Sequence, residues 1–65
     1  MRIKVNGENK ETDQTTVAGL LKELGIKDGM VAVEVNEKII KKAALGETPL
    51  NEADDVEIVN FVGGG

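Results

Sequence analysis

The sequence predicts an α+β domain in which one helix lies on one face of a mixed sheet, and three observations carry that class. Apolar and polar residues alternate near the start of the chain, at Met1, Ile3 and Val5, and Val56 to Val62 is a run of strand-forming residues near its end. A period of two marks a strand with one buried face. Between those ends lies a single stripe of helical period, Val17, Leu20, Leu21 and Leu24, and strands on either side of one helix pack as helix on sheet.

Each element follows in order. After the first strand comes Asn6-Gly7, a dipeptide that accepts the positive φ angles of a type I′ turn, so residues 8–13 are expected to return as the second arm of a hairpin. That arm, ENKETD, has no apolar residue, which suits a wet edge strand and discourages edge-to-edge pairing. Thr15 or Thr16 is placed to cap the helix and Gly25 to end it. Gly19 inside the helix costs about 1 kcal/mol relative to alanine, so packing has to hold that segment. In MVAVEVN, Val31, Val33 and Val35 share a face and Asn36 starts a turn; Ile39 and Ile40 form a short strand. KKAALGETPLNEADD reads as an irregular connection around Leu45, Gly46 and Pro49, and Val56 to Val62 as the last strand.

Composition excludes several functions. The 65 residues contain no cysteine, so there is no disulfide framework, zinc knuckle or thiol chemistry. Histidine, serine, tyrosine and tryptophan are missing too, which removes the usual nucleophiles and the side chain best suited to proton transfer near neutral pH. Twelve acids against eight bases give a net charge of −4, and with one aromatic residue the chain has neither the cations nor the stacking surfaces that hold nucleic acid. The first fifteen residues hold no apolar leader, and the run MVAV is far short of the roughly 20 residues that span a bilayer. A cytoplasmic protein with no membrane contact is expected, monomeric when free, whose acidic surface suits basic patches on other proteins.

The order of elements, hairpin, helix, strand, short strand, connection, strand, fits a β-grasp domain, in which the N-terminal and C-terminal strands lie side by side in the middle of the sheet. IKVNGE at the start, TVAGLLKELG in the helix, VAVEVNEKII in the middle and DDVEIVNFVGGG at the end resemble the β-grasp sulfur carriers of the ubiquitin-like superfamily, and within them the ThiS family of thiamine biosynthesis. The resemblance runs end to end. A di-glycine terminus is shared with ubiquitin-like modifiers and with the small subunit of molybdopterin synthase, so those remain the alternatives. Such carriers often have Gly-Asp before the last strand, whereas here Ala53 precedes Asp54; alanine fits poorly if that turn needs a positive φ.

The resemblance implies a carrier rather than an enzyme, built as a β-grasp domain over residues 1–62 with a flexible glycine tail at 63–65. It implies that a ThiF-type adenylating enzyme, using ATP and magnesium, activates the carboxylate of Gly65, that a cysteine desulfurase supplies sulfur, and that a ThiG-type thiazole synthase receives it from the thiocarboxylate. No cofactor is bound by the carrier itself. Gly63 and Gly64 form the thin leader, because a residue without Cβ lets another backbone approach closely. Ordering such a tail costs about 1–2 kcal/mol per residue, so a surface on the domain has to offset it. Side chains alternate along a strand; with Val56 and Ile58 under the helix, Val59 and Phe61 fall on the open face and, with Val62, are the expected docking residues. Two further groups have plainer readings. Glu52, Asp54 and Asp55 lack the pattern of a calcium loop and are expected to be a solvated turn, and Lys38, Lys41 and Lys42 a solvated basic face.

Overall fold

The structure, a computed structural model, describes residues 1–60. Its strands are β1 (Arg2–Val5), β2 (Glu8–Glu11), β3 (Val31–Val35), β4 (Lys38–Ile40) and β5 (Asp55–Asn60), with one helix, α1 (Val17–Glu23), and single 3₁₀ turns at Asp28–Met30 and Lys42–Ala44. The sheet order is β2-β1-β5-β3-β4. β1 and β5 run parallel in its middle, and the other neighbours are antiparallel.

Turn chemistry fixes both hairpins. Asn6 and Gly7 have φ of 51° and 85°, the double positive φ of a type I′ turn, so Ile3 falls opposite Lys10 and Val5 opposite Glu8. Asn36 and Glu37 repeat the device with φ of 52° and 72° and fold β4 back on β3. Glutamate is an unusual choice for that conformation, which asparagine and glycine adopt more readily; the sequence marks the turn by Asn36 alone.

The helix is short, and its ends are closed. Thr16 is the cap: its Oγ1 accepts from the Gly19 N–H at 3.1 Å. The N–H groups of Val17 and Ala18 donate to the carbonyls of Thr48 and Leu45, each at 3.0 Å, and that of Leu20 to the Thr16 carbonyl. The open N–H groups of Val17, Ala18 and Gly19 are thereby satisfied, and that of Leu20 makes the first bond within the helix. At the other end Gly25, with φ of 76°, lets its own N–H reach the Lys22 carbonyl and that of Ile26 reach the Leu21 carbonyl, the paired bonds of a Schellman cap. At Gly19 the end of the flexible Gln14 side chain lies across the helix, and a Cβ there would displace its carboxamide.

The core forms between this helix and the sheet. Ile3, Val33, Val35, Val56 and Ile58 point down from β1, β3 and β5 to meet Val17, Leu20 and Leu21, all buried. Leu45 and Leu50 complete the cluster. The connection from Lys41 to Asp54 is therefore structural: it places two leucines in the core, supplies the carbonyls that close the helix start, and pairs Pro49 with Thr16.

The acidic turn corrects an expectation. Asp54 is not solvated; it is only 7% exposed. Its carboxylate accepts from the Asn51 N–H at 2.8 Å and from Asn36 Nδ2 at 2.9 Å, while Asn36 Oδ1 accepts from the Asp55 N–H at 3.0 Å. A buried carboxylate needs such donors to offset its lost hydration, and here they tie the β3–β4 turn to the start of β5. The same turn bonds the Asp54 N–H to the Asn51 carbonyl and holds Ala53 at φ of 71°. The turn does need a positive φ, and alanine adopts it at a cost of about 1–2 kcal/mol.

Candidate functional site

The sheet's two faces differ sharply. Below lies the core. Above, where no helix covers it, β5 presents Asp55, Glu57 and Val59, and its neighbour β3 presents Ala32 and Glu34. Val59 lies directly opposite Ala32, and Glu57 opposite Glu34, which on its other side faces Ile39 of β4. Val59 is 55% exposed and Ile39 76% exposed, so two branched apolar side chains stand in water on one face, flanked by carboxylates. Like charges directly opposite across strands are unfavourable. Among the described residues the ion pairs are Arg2 with Glu11 at 3.1 Å and Lys10 with Glu23 at 3.0 Å, and neither touches Glu34 or Glu57.

Of the expected docking residues the structure thus places Val59 on the open face, at the end of β5 from which the tail departs. Phe61, Val62, Gly63, Gly64 and Gly65 lie outside the described residues. Ala32 and Ile39 join Val59 on that face although the sequence alone gave no reason to group them. Ile39 shows in sequence as half of an apolar pair; which half is exposed depends on pairing with β3, which is a long-range fact. Lys38, Lys41 and Lys42 are exposed.

Elsewhere the polar groups serve the fold. Glu23 at the end of α1 accepts from Lys10 and from Thr12 Oγ1, the latter at 2.9 Å. The hydrogen bond from Lys10, then that from Thr12, holds its carboxyl below the ordinary value of 4.5. The expected wet edge is accordingly incomplete: Thr12, just beyond β2, is buried, and Lys10 is half-buried over the helix. A cleft of about 600 Å³ opens where the hairpin meets the helix end, bordered by Val5, Lys10, Leu24, Ile26 and Asn60. Among the described residues no group of three potential metal ligands forms, and no helix is long and apolar enough to cross a membrane.

Among the described residues, a five-stranded mixed sheet with its first and last strands parallel at the centre and one helix below, followed in sequence by the chain's final glycines, defines a β-grasp carrier-type domain. The sequence profile of the ThiS family matches residues 3–65. The chain belongs to the ThiS family. It is 37% identical to the sulfur carrier protein ThiS of Bacillus subtilis, the alignment covering 97% of this chain and 98% of that protein. It is also 41% identical over its whole length to part of the thiazole synthase of Paramagnetospirillum magneticum, of which it spans 20%. Among solved structures, the thiamine biosynthesis protein ThiS from Geobacter metallireducens superposes over the full length of both chains with a TM-score of 0.84 at 32% identity.

Proposed function

We propose that this protein is a cytoplasmic sulfur carrier for the thiazole of thiamine, a co-substrate with no catalytic residues of its own. The Gly65 carboxylate attacks the α-phosphorus of ATP in a ThiF-type enzyme and releases pyrophosphate. The persulfide sulfur of a cysteine desulfurase then displaces AMP from the acyl carbon to form an acyl disulfide, so one carboxylate oxygen leaves with AMP, and a second thiol cleaves that disulfide, pairing with the donor cysteine and leaving the thiocarboxylate. Thiazole synthase takes the sulfur, and the carboxylate returns. Gly63 and Gly64 thread the reacting carbon into each active site, and magnesium and ATP belong to the enzyme.

The observation that carries this reading is the match of residues 3–65, glycines included, to the ThiS family, together with likeness to a sulfur carrier along nearly the whole of both chains. Its likeness to a fifth of a thiazole synthase favours that acceptor over the large subunit of molybdopterin synthase. The docking surface in this reading is the open face at the end of β5: Val59 supplies the apolar contact, joined by Ala32 and Ile39, with Phe61 and Val62 following it in sequence, and the Glu34–Glu57 pair meets a lysine or arginine of the enzyme. A cation inserted between two opposed carboxylates removes their repulsion and gains from both.

Intact mass measured after incubation with ATP, a ThiF-type enzyme and a sulfur source tests it. The expected gain corresponds to sulfur replacing one oxygen, and it disappears when thiazole synthase and its substrates are added. A gain that only a molybdopterin synthase large subunit discharges moves the carrier to that pathway; conjugates to lysines of other proteins, with no gain, make it a modifier.

A further inference from the structure

β1 leaves β5 early. Their pairing comprises Lys4 opposite Asp55 and Val5 opposite Val56, followed by the Asn6 N–H donating to the Val56 carbonyl at 2.9 Å, after which the chain turns back into β2. β5 runs on through Glu57, Ile58, Val59 and Asn60, held on one side by β3, where Val31 faces Asn60. On the side that β1 has vacated, a side chain takes the place of a strand. Asn6 Oδ1 accepts from the Ile58 N–H at 2.7 Å, and Asn6 Nδ2 donates to the Ile58 carbonyl at 3.2 Å. A neighbouring backbone would make the same pair of bonds. A carboxamide can imitate it because it carries donor and acceptor together, while the backbone of Asn6, at φ of 51°, turns the chain away.

We propose that Asn6 is a positioning residue: by clamping Ile58 it fixes the direction in which β5 hands over to the glycine tail, so that the adenylating enzyme meets a strand end already ordered. The proposal rests on the sulfur-carrier reading of Gly65, which follows Ile58 by seven residues. Without the clamp, ordering of the strand end moves to the docking step. Fixing the backbone of one residue there weakens binding about five- to thirtyfold. Chemistry on the docked tail is unaffected, so the loss falls on KM.

Asn6→Gly is the informative variant, because glycine keeps the turn's positive φ and removes the carboxamide. Asn6→Asp keeps the acceptor for the Ile58 N–H but sets an oxygen against the Ile58 carbonyl. Each is assayed for thiocarboxylate formation with a ThiF-type enzyme, alone and combined with Ala53→Gly, which relieves the strained φ at that turn and restores Tm. Hydrogen exchange at the Ile58 amide is followed in parallel. The expected result for Asn6→Gly is faster exchange at Ile58, a KM for the carrier raised about five- to thirtyfold, kcat within about twofold, and no recovery of KM when Ala53→Gly restores Tm; Asn6→Asp falls between. An unchanged KM, or a KM that recovers together with Tm, reduces Asn6 to a stabilising residue and overturns the proposal. A wild-type protein that accepts no sulfur at all overturns the carrier reading instead, and leaves the tail with no task for Asn6 to assist.

Discussion

The two faces of β5 are made from one six-residue strand and do different work. Val56 and Ile58 point into the core and are buried; Glu57 and Val59 point to water, and Val59 keeps more than half of its surface exposed. Burial of each large apolar side chain contributes about 1.5–3 kcal/mol, so the lower face holds the fold. The upper face leaves an apolar residue unburied and sets Glu57 against Glu34, two choices that lower the stability of the free protein. A face that is suboptimal for folding and runs to the end of β5 is what a docking surface looks like before its partner arrives.

Substitutions on the two faces break or sharpen that contrast. The largest effect belongs to the core. Leu20→Ala, at a fully buried position, is expected to cost about 2–5 kcal/mol, a large share of the roughly 3–10 kcal/mol available to a domain of this size. Urea denaturation checks it, and the fraction still folded should accept sulfur normally. On the upper face, Val59→Lys should change stability by no more than about 0.5 kcal/mol yet weaken association with the adenylating enzyme at least about tenfold, equivalent to ~1.4 kcal/mol, as read by calorimetric titration. Glu57→Gln is subtler: ending the opposition to Glu34 should stabilise the free protein by about 0.2–1 kcal/mol while slowing association at low salt. A variant that gained stability and bound equally well would remove the charge pair from the docking account.

The smallest effect lies at the helix end. Because the carboxyl of Glu23 is held below its ordinary value by Lys10 and Thr12, its contribution is fully present above about pH 4.5 and is lost as pH falls through the lowered value. Glu23→Gln should flatten that acid limb in a pH series of thermal melts and leave the curve near neutral pH unchanged in shape. Being on the surface, the pair is also screened by salt.

What the sequence revealed divides along similar lines. A period of two located β1 and β3 and a period of 3.6 the helix, and Asn6-Gly7 located the first hairpin, because these signals are local. The connection from Lys41 to Asp54 read as irregular, since Leu45 and Leu50 follow no period, and their burial is decided by the helix start they pack beside. Asp54 read as solvated because its donors, Asn36 and the Asn51 N–H, are brought to it by the fold. Ala53 announced its strain through its departure from the Gly-Asp pattern. The company of Val59 on the open face needed the β3–β5 register, and the second task of Asn6, beyond its turn, needed the parallel pairing of the chain's two ends.

The division of labour between the faces is tested most directly by amide chemical-shift mapping of the labelled protein as a ThiF-type enzyme is added. Changes concentrated at Ala32, Glu34, Ile39, Glu57 and Val59 and along the glycine tail are the predicted result. Changes concentrated on the exposed side of α1 and on β2, with the open face silent, would contradict it.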